Sequence, residues 1–340
     1  MISVEKVLNS RCSCGFDSSS KNSHWGVFSE QKHPSHEDLR TVLEYCSVPQ
    51  FSDGRLLQRF QDKYILLSVE KKDDPFKMRL LHVESGMQQE AVYLACTAMG
   101  LGTCIDNVGI NGTEHKDSIA TAKHLILEKK DTYRTGKFST VSPGPEKLFI
   151  KGKNLNEPSR DGEVECLDQM QKLTLSNNGR LARRTDISQL LWAARGRTPH
   201  YIKHHPWGLT IPTWGGGQNY TKIHFVEAKR LFRYVNWTTS RYIDIKTRFF
   251  PWWILGNPTH DLKYIRNADI PFESHAASFI ILSRNEPTHR ALWEIGYMLE
   301  NMLLQAKSLE ISYESRVFKE DEIRKLRQCG ISEAVAALVL

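Results

Sequence analysis

The chain has 340 residues, 40% hydrophobic and 25% charged, with a formal net charge of +7. This is the composition of a soluble globular protein with ample core, and no apolar run approaches the roughly 18 residues of a membrane span. The positive charge suits an anionic ligand, yet Lys and Arg are dispersed and no nucleic-acid motif appears, so nucleic acid is not an expected partner.

The first residues, MISVEKVLNSRCSC, lack a basic segment followed by an apolar one, so no secretory signal is expected. Seven cysteines, odd in number and scattered, do not make a disulfide framework. Reduced thiols in a cytoplasmic protein are the expectation. Residues 1–35 are rich in Ser, His and Lys and read as mostly loop. Residues 38–46, DLRTVLEYC, place Leu39, Val42, Leu43 and Cys46 on one helical face. A turn over 47–54 and a strand at 64–69, YILLSV, follow. A charged loop, 70–77, then leads into a long helix.

That helix, within ESGMQQEAVYLACTAMGLGTCIDNVG at 84–109, carries apolar residues nearly all round, as a buried helix does. Gly100 and Gly102 end it, because glycine takes the left-handed backbone of a helix terminus cheaply. Residues 118–127 read as a further helix. Residues 131–180 turn polar and are broken by Pro143, Gly144, Pro145 and Pro158, which reads as a connecting segment.

The second part of the chain repeats the order of the first. DISQLLWAA at 186–194 matches DLRTVLEYC, and FIILS at 279–283 matches YILLS. EIGYMLENMLLQAKSLEIS at 294–312 matches the long helix: with Gly86 set on Gly296, Glu84 falls on Glu294, Glu90 on Glu300 and Leu94 on Leu304. Helix, strand, loop and long helix recurring in one order indicate an internal repeat. Between the matching elements lie PWGLTIPTWGGGQNY at 206–220, a strand pair at 222–227 and 231–235, and an aromatic loop, FFPWWILGNPTH, at 249–260.

Three stretches, ESGMQQEAVYLACTAMGLGTC, QLLWAARGRT with IPTWGGGQNYTKIHFVE, and ALWEIGYMLENMLLQA, resemble the FMN-dependent nitroreductase superfamily, especially its oxidase-like members. The resemblance implies an α+β fold of two nitroreductase-like halves, 1–130 and 181–340, joined by 131–180. Each half is a mixed, largely antiparallel sheet flanked by helices. The two long central helices pack together, so that one chain builds an intramolecular pseudo-dimer. It also implies an FMN oxidoreductase passing hydride through flavin N5 to or from a small organic substrate, with NAD(P)H a possible donor. The cofactor carries the redox step, so no catalytic side chain is assigned.

In the family's pattern, an N-terminal Arg-x-Ser meets the phosphate and ribityl chain; Arg11 and Ser13 match it here. Asn107, Val108 and Gly109 occupy the place facing N5, and Pro212, Thr213, Trp214, Gly215 and Gly216 that of the turn against the ring. In the other crevice, Arg183, Arg184 and Thr185 match loosely, so one working FMN site is expected. SRCSCGF has Cys and Gly where the family often has further arginines, which motivates an alternative: a degenerate scaffold that binds flavin or another ligand without turnover.

Each candidate has a plainer reading beside it. Arg11 can fork onto a phosphate or lie in solvent. Gly215–Gly217 admit a close flat ring or form a tight turn. The 100–109 break aims amides at a charge-changing atom or is an ordinary helix end. Trp214, Trp252 and Trp253 wall a pocket or fill core. His200, His204 and His205 have no carboxylate or cysteine nearby in sequence, so no metal is expected.

Overall fold

The structure, a computed structural model, describes residues 2–15, 26–28, 33–105, 117–130, 152–198, 208–212, 220–235, 261–268 and 278–340. The chain opens with a helix, α1 (Val4–Ser10), where a loop was expected. Ser3 caps it by accepting from the Lys6 amide, and Val4, Val7 and Leu8 form an apolar stripe with no exposure. Two short strands, β1 (Cys14–Gly15) and β2 (Gly26–Phe28), precede α2 (His36–Tyr45), whose start is a Ser35–Asp38 capping box. The hairpin β3 (Leu56–Gln61) and β4 (Tyr64–Glu70) leads to α3 (Pro75–Ala98).

This long helix begins within the stretch read as a charged loop. Asp74 accepts from the Phe76 and Lys77 amides, and Pro75 suits a first turn that needs no donor. It ends at Gly100, with φ +75°, and β5 (Leu101–Ile105) starts at once. Next comes β6 (Ser118–Lys130), where residues 118–127 were expected to be helical. This strand pairs with β4 on one side and β5 on the other, and both its faces are largely buried. Burial on both faces erases the alternation that marks a strand in sequence, and pairing overrides local propensity.

Within 152–180 the chain carries β7 (Gly152–Asn154), α4 (Cys166–Gln171) and β8 (Ser176–Asn177). Then come α5 (Arg184–Arg195), the short pair β9 (Arg197–Thr198) and β10 (Gly208–Leu209), and the antiparallel strands β11 (Thr221–Glu227), β12 (Arg230–Val235), β13 (Asp261–Asn267) and β14 (Ser278–Arg284). The chain closes with the second long helix α6 (His289–Ser308), β15 (Tyr313–Val317), α7 (Glu320–Gln328) and β16 (Ala334–Val339).

Among the described residues two larger sheets form beside the β9–β10 pair, one ordered β1-β2-β6-β4-β3 with β5 also on β6, the other β7-β13-β12-β11-β14-β16-β15-β8. Each contains the same antiparallel run: β3-β4-β6-β5 in the first and β11-β14-β16-β15 in the second.

The long helices α3 and α6 cross at glycine. A Cβ on Gly86 would lie 2.3 Å from the Trp293 carbonyl oxygen, and one on Gly296 would lie 2.2 Å from that of Val83. Each glycine therefore meets the residue three before the other, the reciprocity of an isologous contact. Only hydrogen lets the two backbones approach so closely. Glu310, which follows α6, has φ +55°, and its sequence counterpart Gly100 has φ +75°. No helix among the described residues is long and apolar enough to cross a membrane.

Candidate functional site

Arg11 terminates α1, and the extended chain beyond it bridges Ser13 to Thr103 of β5 in parallel. That turn drives the guanidinium inward, to 3% exposure. Its Nε donates to the Thr210 carbonyl at 2.8 Å and its Nη2 to the Leu209 carbonyl at 2.7 Å. The group also lies 5.2 Å from the centre of the Tyr93 ring and 3.7 Å from a Glu90 carboxylate oxygen. Nη1 is buried without a hydrogen-bond partner among the described residues. The fork is thus turned onto backbone at the entrance to Pro212, and one N–H face remains for anything else.

The strand end that Arg11 holds is pinned from several sides. Thr210 exchanges backbone and hydroxyl hydrogen bonds with Gly196 and Trp192 at the C-terminus of α5. Asn301 of α6 donates to the carbonyls of Ala193 (3.2 Å) and Thr210 (3.1 Å). Pro212 follows two residues on and is half-buried.

Opposite lies a polar chain through Tyr93 of α3. Its oxygen accepts from the Ile105 amide at 3.2 Å and lies 3.1 Å from the Ser13 hydroxyl. Burial first, then neighbouring Cys104, pushes the phenol far above its ordinary range, so it keeps its proton. Either oxygen of the Tyr93–Ser13 pair can donate to the other, and Ser13 is half-buried.

Beneath these groups sits a carboxyl pair. Glu90 of α3 and Glu300 of α6 are both buried. Burial pushes the Glu90 carboxyl up to about 8, against the pull of Arg11 and Asn301. Asn301's amide hydrogens are committed to Ala193 and Thr210, and neither Glu90 oxygen holds a hydrogen bond of full geometry. Glu300 is pushed well above the carboxylate range, by burial and then by Glu90.

The other end of the crossing is finished differently. Arg180 makes a parallel bridge to Ile311, and it pairs with Asp186 at 2.6 and 3.0 Å near the surface. Arg183, Arg184 and Thr185 are exposed at the start of α5, so they do not stand where Arg11 and Ser13 do. The turn at 47–54 is held by Glu84, which accepts from the Phe51 and Ser52 amides, both at 2.6 Å, and from the Ser52 hydroxyl at 2.8 Å. Its counterpart Glu294 accepts from the Thr221 hydroxyl at 3.2 Å.

Of the residues expected at the site, Arg11 reaches the carbonyls of Leu209 and Thr210, just ahead of Pro212 in sequence, and Ser13 lies on Thr103 and Tyr93. Asn107, Val108, Gly109, Thr213, Trp214, Gly215, Gly216 and Gly217 lie outside the described residues, as do His200, His204, His205, Trp252 and Trp253. No group of three metal-ligating side chains occurs among the described residues. Sequence reasoning missed Tyr93, Glu90, Asn301 and Thr210. The pairing of Glu90 with Glu300 in the repeat was the one signal, since a charged residue kept inside an apolar helix has a reason to be there.

No protein-family model matches the chain, and no curated protein matches it in sequence. Solved structures do. A proposed nitroreductase from Anabaena variabilis superposes with a TM-score of 0.52 at 12% identity, over 81% of this chain and 68% of that one. A proposed nitroreductase from Thermotoga maritima gives 0.41 at 14% identity, over 100% of this chain and 94% of the other. A nitroreductase from Desulfitobacterium hafniense, solved with FMN bound, gives 0.28 at 13% identity, over 42% and 100%. The first of these likenesses establishes a nitroreductase-like α+β fold, and fold alone does not assign function.

Proposed function

We propose that this chain is an FMN-dependent oxidoreductase of the nitroreductase type, passing hydride to or from a small organic substrate. In this reading, residues 1–130 and 181–340 are duplicated halves that form a dimer within one chain. Fusion keeps the halves at high effective concentration and lets their two crevices diverge. One crevice works, the one at Arg11. The observation that carries this is the Arg11 clamp: a side chain from the first half holds the Leu209 and Thr210 carbonyls ahead of Pro212 in the second.

The described residues fit such a cofactor. The orphaned Nη1 of Arg11 and the half-buried hydroxyl of Ser13 suit the polar chain and phosphate of FMN. Glu90, held mostly protonated at neutral pH, leaves the arginine's charge largely uncancelled. Asn107, Val108 and Gly109, just past β5, are proposed to face the ring. Pro212, Thr213, Trp214, Gly215 and Gly216 are proposed to lie against it. When bound, the flavin supplies the hydride chemistry; the chain binds and orients it.

A second reading has its own observation. Two of the Arg11 donors are already spent on backbone, which favours a scaffold that binds flavin without turnover. Absorbance of gel-filtered protein after incubation with FMN tests both, and a spectrum without flavin bands sinks both. Anaerobic bleaching of a bound flavin by NADH or NADPH supports the enzyme; a flavin that stays oxidised with every donor supports the scaffold.

A further inference from the structure

The face of the second sheet that points away from α6 carries a second polar feature, independent of the flavin reading. Alternate residues of β11 to β14 face outward. The row of Val226 and Leu231, with Phe279 and Ile281, is covered by Ile323 and Leu326 of α7. Beyond that row the outward positions turn cationic. His224 stands directly opposite Arg233, and Arg233 directly opposite Lys263, across three neighbouring strands. Lys222, two residues from His224, stands opposite Ser283. Arg233 and Lys263 are exposed and Lys222 is half-buried, while His224 is 7% and Ser283 1% exposed. Among the described residues, none of the three cations has a carboxylate partner.

Like charges directly opposite on a sheet destabilise it, so an unpaired row of this kind calls for a counter-charge. The imidazole between Lys222 and Arg233 points the same way. Its Nε2 lies 3.1 Å from the Ser283 hydroxyl, and its Nδ1 is buried with no partner. Burial, then Arg233 and Lys222, push this histidine down to about 4, so it is neutral at pH 7. With Ser283 donating to Nε2, the proton sits on Nδ1 and needs an acceptor.

We infer that Lys222, His224, Arg233 and Lys263, with Ser283 orienting the imidazole, form a binding site for a doubly charged oxyanion of the phosphomonoester class. The rim cations supply the charge, Arg233 a fork for two oxygens, and His224 a donor at the floor. A single carboxylate would leave the cluster with excess positive charge; a phosphate dianion answers most of it.

Isothermal titration calorimetry with inorganic phosphate, at constant ionic strength made up with chloride, tests the site on the whole chain. Saturable 1:1 binding with a Kd on the order of 1 mM or tighter is expected. A K222Q/R233Q double variant should weaken it by about tenfold or more. An Arg11→Ala variant should bind phosphate as the parent does, which separates this site from the flavin crevice. Phosphate should also raise the pKa of the His224 ring, read by NMR with His224→Gln as the assignment control. The double variant removes repulsion, so without phosphate its thermal midpoint should not fall; a fold lost on substitution would itself contradict the uncompensated cluster. Absence of saturation in the parent, or binding unchanged in the double variant, overturns the proposal. So does a single-stranded oligonucleotide that binds through these residues far more tightly than phosphate, which would make the surface a polymer track.

Discussion

Glu90 has the Arg11 guanidinium 3.7 Å away, while Glu300, its neighbour on α6, has no arginine beside it among the described residues. Both carboxyls are buried, and both are driven towards the protonated form. Since Glu300 is accommodated without a cation, packing of the crossing does not by itself require Arg11. The glycines teach the converse. Gly86 and Gly296 recur because two backbones meet there, and each helix needs the gap. Gly86 and Gly296 serve the crossing alike, while of the two carboxyls Glu90 alone has an arginine beside it among the described residues.

The comparison is broken most severely at Arg11. Arg11→Ala should cost about 2–4 kcal/mol, because it strips two buried carbonyls of their donor. It should also abolish or sharply weaken FMN binding. Chemical denaturation and flavin titration read the two effects, and a variant with parental stability and affinity would refute the clamp.

The carboxyl pair gives the next largest effect, through pH. The Glu90 pKa is about 8 in the folded chain, against an ordinary value of 4.5. Between those values the folded state holds a proton that the unfolded state has released. This group's contribution to stability is therefore greatest at acid pH and falls as pH rises from about 4.5 to 8, by at most about 4–5 kcal/mol. Glu90→Gln should flatten that slope and raise the thermal midpoint most at pH 8. Unfolding curves across this range that stay parallel for parent and variant would rule the buried proton out.

The glycines should respond alike. Gly86→Ala and Gly296→Ala each push a methyl group into the opposing backbone and should each cost about 1–3 kcal/mol. Markedly unequal losses in urea melts would show that the crossing is less reciprocal than its contacts indicate. The smallest effect is expected at the second crevice. Arg180→Ala removes an ion pair near the surface and should cost about 1 kcal/mol or less, since solvent screens it and the Arg183 amide still serves Asp186. FMN affinity should be unchanged.

How much of this was legible in the sequence depended on whether a signal was local. The long helices, the Gly86–Gly296 correspondence and the strands at 64–70 and 278–284 could be read directly, because helix period, glycine stops and short apolar runs are properties of neighbouring residues. α1 was missed because one apolar stripe of three residues is short beside the polar run after it. β6 was misread because neighbours on both sides bury both its faces.

At the site the division is sharper. Arg11, Ser13 and Pro212 were named from the family resemblance, and the fold puts Arg11 onto the two residues that lead towards Pro212. That Arg11 faces inward onto Leu209 and Thr210, that Tyr93 lies within hydrogen-bond reach of Ser13, and that Glu90 is a buried acid depended on segments some 80 to 200 positions apart in number. The sequence by itself determined the two long helices and the short apolar strands, because those rest on local periodicity. Only the tertiary structure decided which arginine is buried and which stays at the surface, because burial and hydrogen-bond partners are set by what the rest of the chain packs against them.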